Sequence, residues 1–231
     1  MLITLVVANQ KGGVGKTTTA LNLAASLSAA SRKVLLIDLD AQGNSTTGTG
    51  EEKNQKETSL IDVLVDNDSA LEKVIEETRY KFDLIPASTD LISAEIELSS
   101  LPSPTATLKE KLKDLGEAYD YTVIDCPPSL GMLSVSALRA ASKVLIPLQC
   151  EYYSLEGLAS MNKTINEIND ATGEKIEISG ILRTMYDSRI RLSREVSQEL
   201  EEHFSEQLCD TVIPRNVKFC LLYTSPSPRD S

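Results

Sequence analysis

The sequence predicts an α/β fold in which a mostly parallel sheet carries helices on both faces. Three features lead there: short apolar runs, breaker-free helical stretches alternating with them, and a glycine-rich loop where the first run gives way to the first helix. Leu2 to Ala8 is a continuous apolar run that reads as a strand. Gly12, Gly13 and Gly15 end it, and Thr17 to Ala30, rich in Ala and Leu, reads as a helix. Val34 to Ile37 is a second buried strand closing on Asp38 and Asp40. Residues 41 to 58, rich in Gly, Ser, Thr and charge, read as a mobile loop beside a site. Phe82 to Ile85, Thr122 to Ile124, Val144 to Leu148 and Ile176 to Leu182 read as four more strands. Leu155, Leu158, Met161, Ile165 and Ile168 recur at helical spacing and share one face. In such sheets, ligands bind outside the carboxyl ends of the strands.

The 231 residues carry 23 basic and 34 acidic side chains, a formal net charge of −11, with 41% hydrophobic and 4% aromatic residues. At roughly 100–200 residues per domain, the chain is long enough to bury a core without disulfide staples, and its apolar content excludes global disorder. The longest apolar runs fall far short of the ~20 residues that a membrane helix needs, and the apolar start lacks the basic residues and cleavage site of a signal peptide. A cytoplasmic location is the expectation. Cys126, Cys150, Cys209 and Cys220 form no CxxC pair and His203 is the single histidine, which removes the usual zinc spacings and histidine triads. Any chemistry then rests on Lys, Asp, Thr and backbone groups. The acidic total argues against a broad nucleic-acid coat but leaves room for a local basic patch.

Lys11-Gly12-Gly13-Val14-Gly15-Lys16-Thr17-Thr18 stands where the first strand turns into the first helix. Glycines let the backbone wrap an anion, successive N–H groups and the helix N-terminus point at it, Lys16 adds a compact positive charge, and the Thr17 hydroxyl reaches Mg²⁺. The alternative is a tight turn with incidental lysines; the strand-to-helix context favours the phosphate site. The general pattern GxxxxGK[ST] places glycine at position 10, where this chain has Gln10, and a second lysine, Lys11, heads the loop. A lysine there does not easily fold back onto its own loop and is placed to reach phosphates on a partner subunit, which predicts a dimeric active form. Asp125 follows Val123-Ile124 and opens Asp125-Cys126-Pro127-Pro128-Ser129, setting a carboxylate beside the loop to hold Mg²⁺ directly or through water. A strand-end aspartate capping the next turn is the plainer reading. Asp38 and Asp40, two apart, lie on one side of an extended chain, and one of them is suited to orienting a water for in-line attack on a γ-phosphate.

NQKGGVGKTT at 9–18, LIDLDAQGN at 36–44, VIDCPPSLG at 123–131, IPLQCEYYSLEGL at 146–158 and TVIPRNVK at 211–218 together closely resemble the ParA/Soj-type chromosome and plasmid partition ATPases. These belong to the deviant Walker A family, which also holds the MinD-like division-site ATPases. The resemblance implies a single P-loop NTPase domain over residues 1–219. It makes Lys11 the signature lysine that crosses to the partner's nucleotide. Lys16 and Thr17 bind phosphates and Mg²⁺, and Gly12, Gly13, Val14, Gly15 and Thr18 complete the nucleotide loop. Asp125 holds the metal through water, Asp40 positions the attacking water, and the Ile213-to-Asn216 stretch, with Pro214 and Arg215, lies against adenine. Implied cofactors are ATP and Mg²⁺. The implied cycle is closure of an ATP sandwich homodimer, DNA binding without sequence preference on the nucleoid, and hydrolysis stimulated by a ParB-type centromere-binding partner, with no integral membrane association.

Arg183, Arg189, Arg191 and Arg194 face a single acid, Asp187, between residues 183 and 194, which leaves one locally basic stretch; Arg189 and Lys218 match positions that resemble DNA contacts in the family. Ordinary solvated arginines are the alternative. Cys126 reads as a small strand-end residue, Tyr152 and Tyr153 as core or dimer-surface aromatics, and His203 as a solvated side chain in an acidic helix. After Phe219, the family pattern is expected to continue for roughly 30 residues to a last helix, whereas 220–231 read like translated sequencing adapter, so the expectation is a C-terminally truncated domain with a non-native tail. A MinD-like membrane-surface ATPase and a nucleotide-binding scaffold without useful turnover are the alternative functions.

Overall fold

The computed structural model describes residues 2–51 and 58–216. β1 (Ile3–Val7) leads through the glycine loop into α1 (Lys16–Ala29), and β2 (Val34–Asp38) is followed by α2 (Asn44–Thr49) and α3 (Leu60–Val65). Next come β3 (Glu76–Glu77), β4 (Asp83–Ile85), α4 (Ala94–Ser99), α5 (Thr107–Asp114), β5 (Tyr121–Asp125) and α6 (Met132–Ala140). The chain closes with β6 (Lys143–Gln149), α7 (Ser154–Thr172), β7 (Glu177–Tyr186), α8 (Arg191–His203) and β8 (Leu208–Pro214). The strands form one sheet in the order β3-β4-β2-β5-β1-β6-β7-β8, parallel throughout except for the two-residue edge strand β3.

Strand side chains alternate between faces, and the two cores follow that alternation. Leu35 and Ile37 of β2, Ile124 of β5 and Val144, Ile146 and Leu148 of β6 enter the larger core, which α3 to α8 cover. Val34, Leu36, Leu84 and Val123 point the other way into a smaller core with Ala20 and Ala24 of α1. The predicted helical stripe is present in α7: Leu158, Met161, Ile165 and Ile168 are buried and Leu155 packs partly buried beside them. Gly173, at φ 71°, supplies the left-handed residue that ends this helix.

Three elements differ from the sequence expectation, one of them the two-residue edge strand β3, which is too short to leave a pattern. Residues 44–49, expected in a mobile loop, form α2, and Ser45, Thr46 and Thr49 are fully buried; residues 52–57 of that stretch lie outside the described residues. Polar side chains bury there because two strand-end carboxylates need donors. β8 is an additional strand, hidden in the sequence because it is a half-exposed edge interrupted by Asp210 and Thr211. Lys218 and the tail at 220–231 also fall outside the described residues.

Candidate nucleotide site

β1, β2 and β5 are adjacent, and their carboxyl ends carry the site. In register, Asp125 sits level with Val7 on one neighbour and Asp38 on the other, so both aspartates stand at the sheet end from which the glycine loop leaves. Gly13 and Gly15 adopt φ values of 72° and 90°, which a side chain would strain, and α1 begins at Lys16. The loop's outward carbonyls are tied down: Gln149 donates to the Gly13 carbonyl at 3.0 Å and Thr184 to the Val14 carbonyl at 2.7 Å. The Val14 side chain is buried and anchors the loop in the protein.

Lys16 is buried and bends back so that its Nζ donates to the Lys11 carbonyl at 3.1 Å. Burial lowers its pKa while Asp125 and Asp40 pull it back up. Asp125 Oδ2 accepts from Ser45 Oγ at 2.7 Å, and the neighbouring Thr17 hydroxyl acts with Ser45 to lower the carboxyl's pKa; buried Oδ1 has no hydrogen-bond partner. Burial pushes Asp125 up to about 7, with neighbouring Asp38 adding to the rise, and burial pushes Asp38 up to about 6. A bare carboxylate oxygen next to a threonine hydroxyl and a phosphate-binding loop fits a hard, oxygen-seeking divalent cation such as Mg²⁺.

The two acids at the end of β2 part company. Asp38 is sealed in by Thr46, whose N–H and Oγ1 both reach Asp38 Oδ2 at 2.8 Å. Asp40 instead lines an open cleft of about 390 Å³ with Gly12, Gly13, Lys16, Thr17 and Asn44. The two carboxylates therefore come to lie in different surroundings, Asp38 buried and Asp40 in the cleft. A second, more apolar cavity of about 610 Å³ meets the first at Gly15, Thr18 and Met185 and runs to Pro214, Arg215 and Asn216. One cleft thus has a phosphate-like end and a base-like end.

Other predicted residues lie differently. Lys11 points away from the cleft and pairs with Glu151 of the turn after β6, a partner the sequence did not mark. Arg183 leaves the basic cluster: it is buried, donating to Ser197 Oγ and Glu201 Oε1, both at 2.7 Å. Its alternation on β7 points it inward, and the opposing acid comes from α8, outside the counted window. Arg189 is 88% exposed and forked onto Asp187, whose carboxyl it holds down at about 2; Arg191 pairs with Glu195. Tyr152 and Tyr153 are not core; they stand edge to face on the surface. Cys126 is buried, and burial pushes its thiol far up. Exposed His203 pairs with Glu199. No helix among the described residues is long and apolar enough to cross a membrane.

A family model for an AAA domain matches residues 3–178. The sporulation initiation inhibitor protein Soj of Bacillus subtilis is 44% identical, over 93% of this chain and 85% of its own length. The chromosome partitioning protein ParA of Myxococcus xanthus is 43% identical, over 93% of this chain and 76% of its own. Among solved structures, cobyrinic acid a,c-diamide synthase of Mycobacterium smegmatis with bound ADP and magnesium is similar at a TM-score of 0.87 and 37% identity, covering 96% of this chain and 91% of that one. The same protein is also solved with an ATP analogue and magnesium. The order of motifs, the sheet that carries them and these relatives lead to one conclusion: the chain belongs to the ParA/Soj family of chromosome partitioning proteins.

Proposed function

We propose that this protein is a Mg-dependent ATPase of DNA partition, whose hydrolysis of ATP to ADP and phosphate times a change in self-association and DNA affinity. The observation carrying this reading is the convergence of Lys16, Thr17 and Asp40 on one cleft, with the bare Asp125 oxygen buried behind it at the end of β5. Gly12, Gly13, Val14, Gly15 and Thr18 offer backbone or hydroxyl donors to the phosphates, and Lys16 balances their charge. Thr17 and Asp125 hold Mg²⁺, which when bound neutralises charge on the transferring phosphoryl group. Asp40, at the cleft wall, orients the attacking water. Pro214 and Arg215 bracket the adenine at the apolar end.

Lys11 reaches the nucleotide of a second copy once its pairing with Glu151 is released. The ATP-bound homodimer then holds DNA without sequence preference through Arg189 and Lys218, on the cytoplasmic nucleoid, and a ParB-type partner accelerates hydrolysis. Exposed phosphate contacts of this kind lose affinity steeply with salt.

Hydrolysis measured with and without DNA tests the proposal. Asp40→Ala is expected to retain ATP and stay on DNA while turnover falls by about 10²-fold or more, and Lys16→Ala to lose nucleotide binding. Normal turnover in Asp40→Ala removes it from the water-positioning role.

A further inference from the structure

α2 has six residues and a glycine N-cap that offers no side chain. A helix this short does not hold itself together in water. What holds it comes from outside. The Thr46 N–H, one of the orphan donors at the helix start, is satisfied by Asp38 Oδ2, so a strand residue caps the helix. The Thr46 hydroxyl donates to the same oxygen at 2.8 Å and accepts from the Ala87 N–H at 2.8 Å, tying α2 to the chain leaving β4. The other oxygen of Asp38 accepts from the Asp40 N–H at 3.2 Å. One carboxylate therefore grips both ends of the segment that carries Asp40. All of these groups are buried except the Asp40 backbone, so water does not substitute for a lost bond.

We infer that Thr46 is a positioning residue for hydrolysis: bridging Asp38 and Ala87, its hydroxyl fixes the turn that sets Asp40 at the cleft wall. This rests on the proposed role of Asp40. Thr46 is neither a lining residue of the cleft nor part of the glycine loop, so its effect is expected on the chemical step and not on nucleotide affinity. The Ser45 bond to Asp125 secures the same helix from its other side and leaves the Thr46 bridge as the tie to β4.

The test compares Thr46→Val, which keeps shape and loses the hydroxyl, with Thr46→Ser, which keeps the hydroxyl. In full-length protein with Mg-ATP, Thr46→Val is expected to lower kcat by about 10- to 100-fold with KM for ATP changed less than about twofold, and Thr46→Ser to recover most of the loss. Without nucleotide, amide hydrogen exchange at residues 39–43 and at Ala87 is expected to speed up in Thr46→Val and to stay near wild type in Thr46→Ser. Unchanged exchange in Thr46→Val overturns the inference whatever the turnover shows, and so does a parallel rise in KM or a failure of serine to rescue. A wild-type protein that hydrolyses no ATP overturns the proposed function instead, and the exchange experiment still decides the role of Thr46.

Discussion

Asp125 accepts a hydroxyl bond from Ser45 on a carboxylate whose other oxygen is bare, which makes its protonation a gauge of the site. Its pKa rises on folding from an ordinary value of 3.8 to about 7. Between those values the folded chain binds more protons than the unfolded chain, so this group's contribution to stability falls as pH rises and is lost above about 7. The melting temperature of the nucleotide-free protein is therefore expected to fall from about pH 6 to about pH 8, and Asp125→Asn to flatten that slope, leaving the share due to Asp38. Mg-ATP binding has the opposite sign, since a cation competes with the proton and gains affinity over the same interval. Thermal denaturation across a pH series, with and without Mg-ATP, reads both slopes. At this scale the sequence was most legible where spacing and chemistry coincide: Lys16 and Thr17 open α1 behind the glycine loop, and Asp125 ends the neighbouring β5. It was least legible where a residue's partner belongs to another element. Lys11 pairs with Glu151, and Asp38 is claimed by Thr46, and no local pattern marks either bond.

Elements show why a basic stretch in a sequence is not a basic surface in a fold. Arg183, Arg189, Arg191 and Arg194 are near neighbours in sequence, yet β7 turns Arg183 into the protein while the turn after it and α8 carry the others outside. Arg183→Ala strips a buried hydrogen-bonded cation from between β7 and α8 and is expected to cost about 2–4 kcal/mol of stability, measured by urea denaturation. Arg189→Ala is expected to leave that denaturation curve in place and to weaken ATP-dependent DNA retention, most visibly at low salt. Equal DNA retention in Arg189→Ala and wild type removes Arg189 from the DNA surface. Strand and helix periodicity made the central elements readable, because strands buried on both faces leave uninterrupted apolar runs. β8 escaped because an edge strand buries half its surface and tolerates Asp210 and Thr211. α2 escaped because its burial is driven by polar partners, a signal that apolar periodicity does not carry.

The whole molecule divides its work between unequal supports. The phosphate loop hangs from β1, a central strand flanked by β5 and β6, whereas the turn bearing Asp40 leans on α2 and its borrowed cap. Elements with deep contacts open only near the global free energy of unfolding, while short ones open earlier. Warming therefore separates the two halves of the reaction. Below the melting temperature a window is expected in which the protein still retains ATP but no longer cleaves it, so that heat alone imitates the turnover loss proposed for Asp40→Ala. Parallel measurement of ATP retention and turnover against temperature is expected to show turnover failing first; coincident loss would mean that the two supports open together. In the proposed cycle, in which cleavage ends the hold on DNA, such a window would make mild heat prolong the bound state before it destroys the fold.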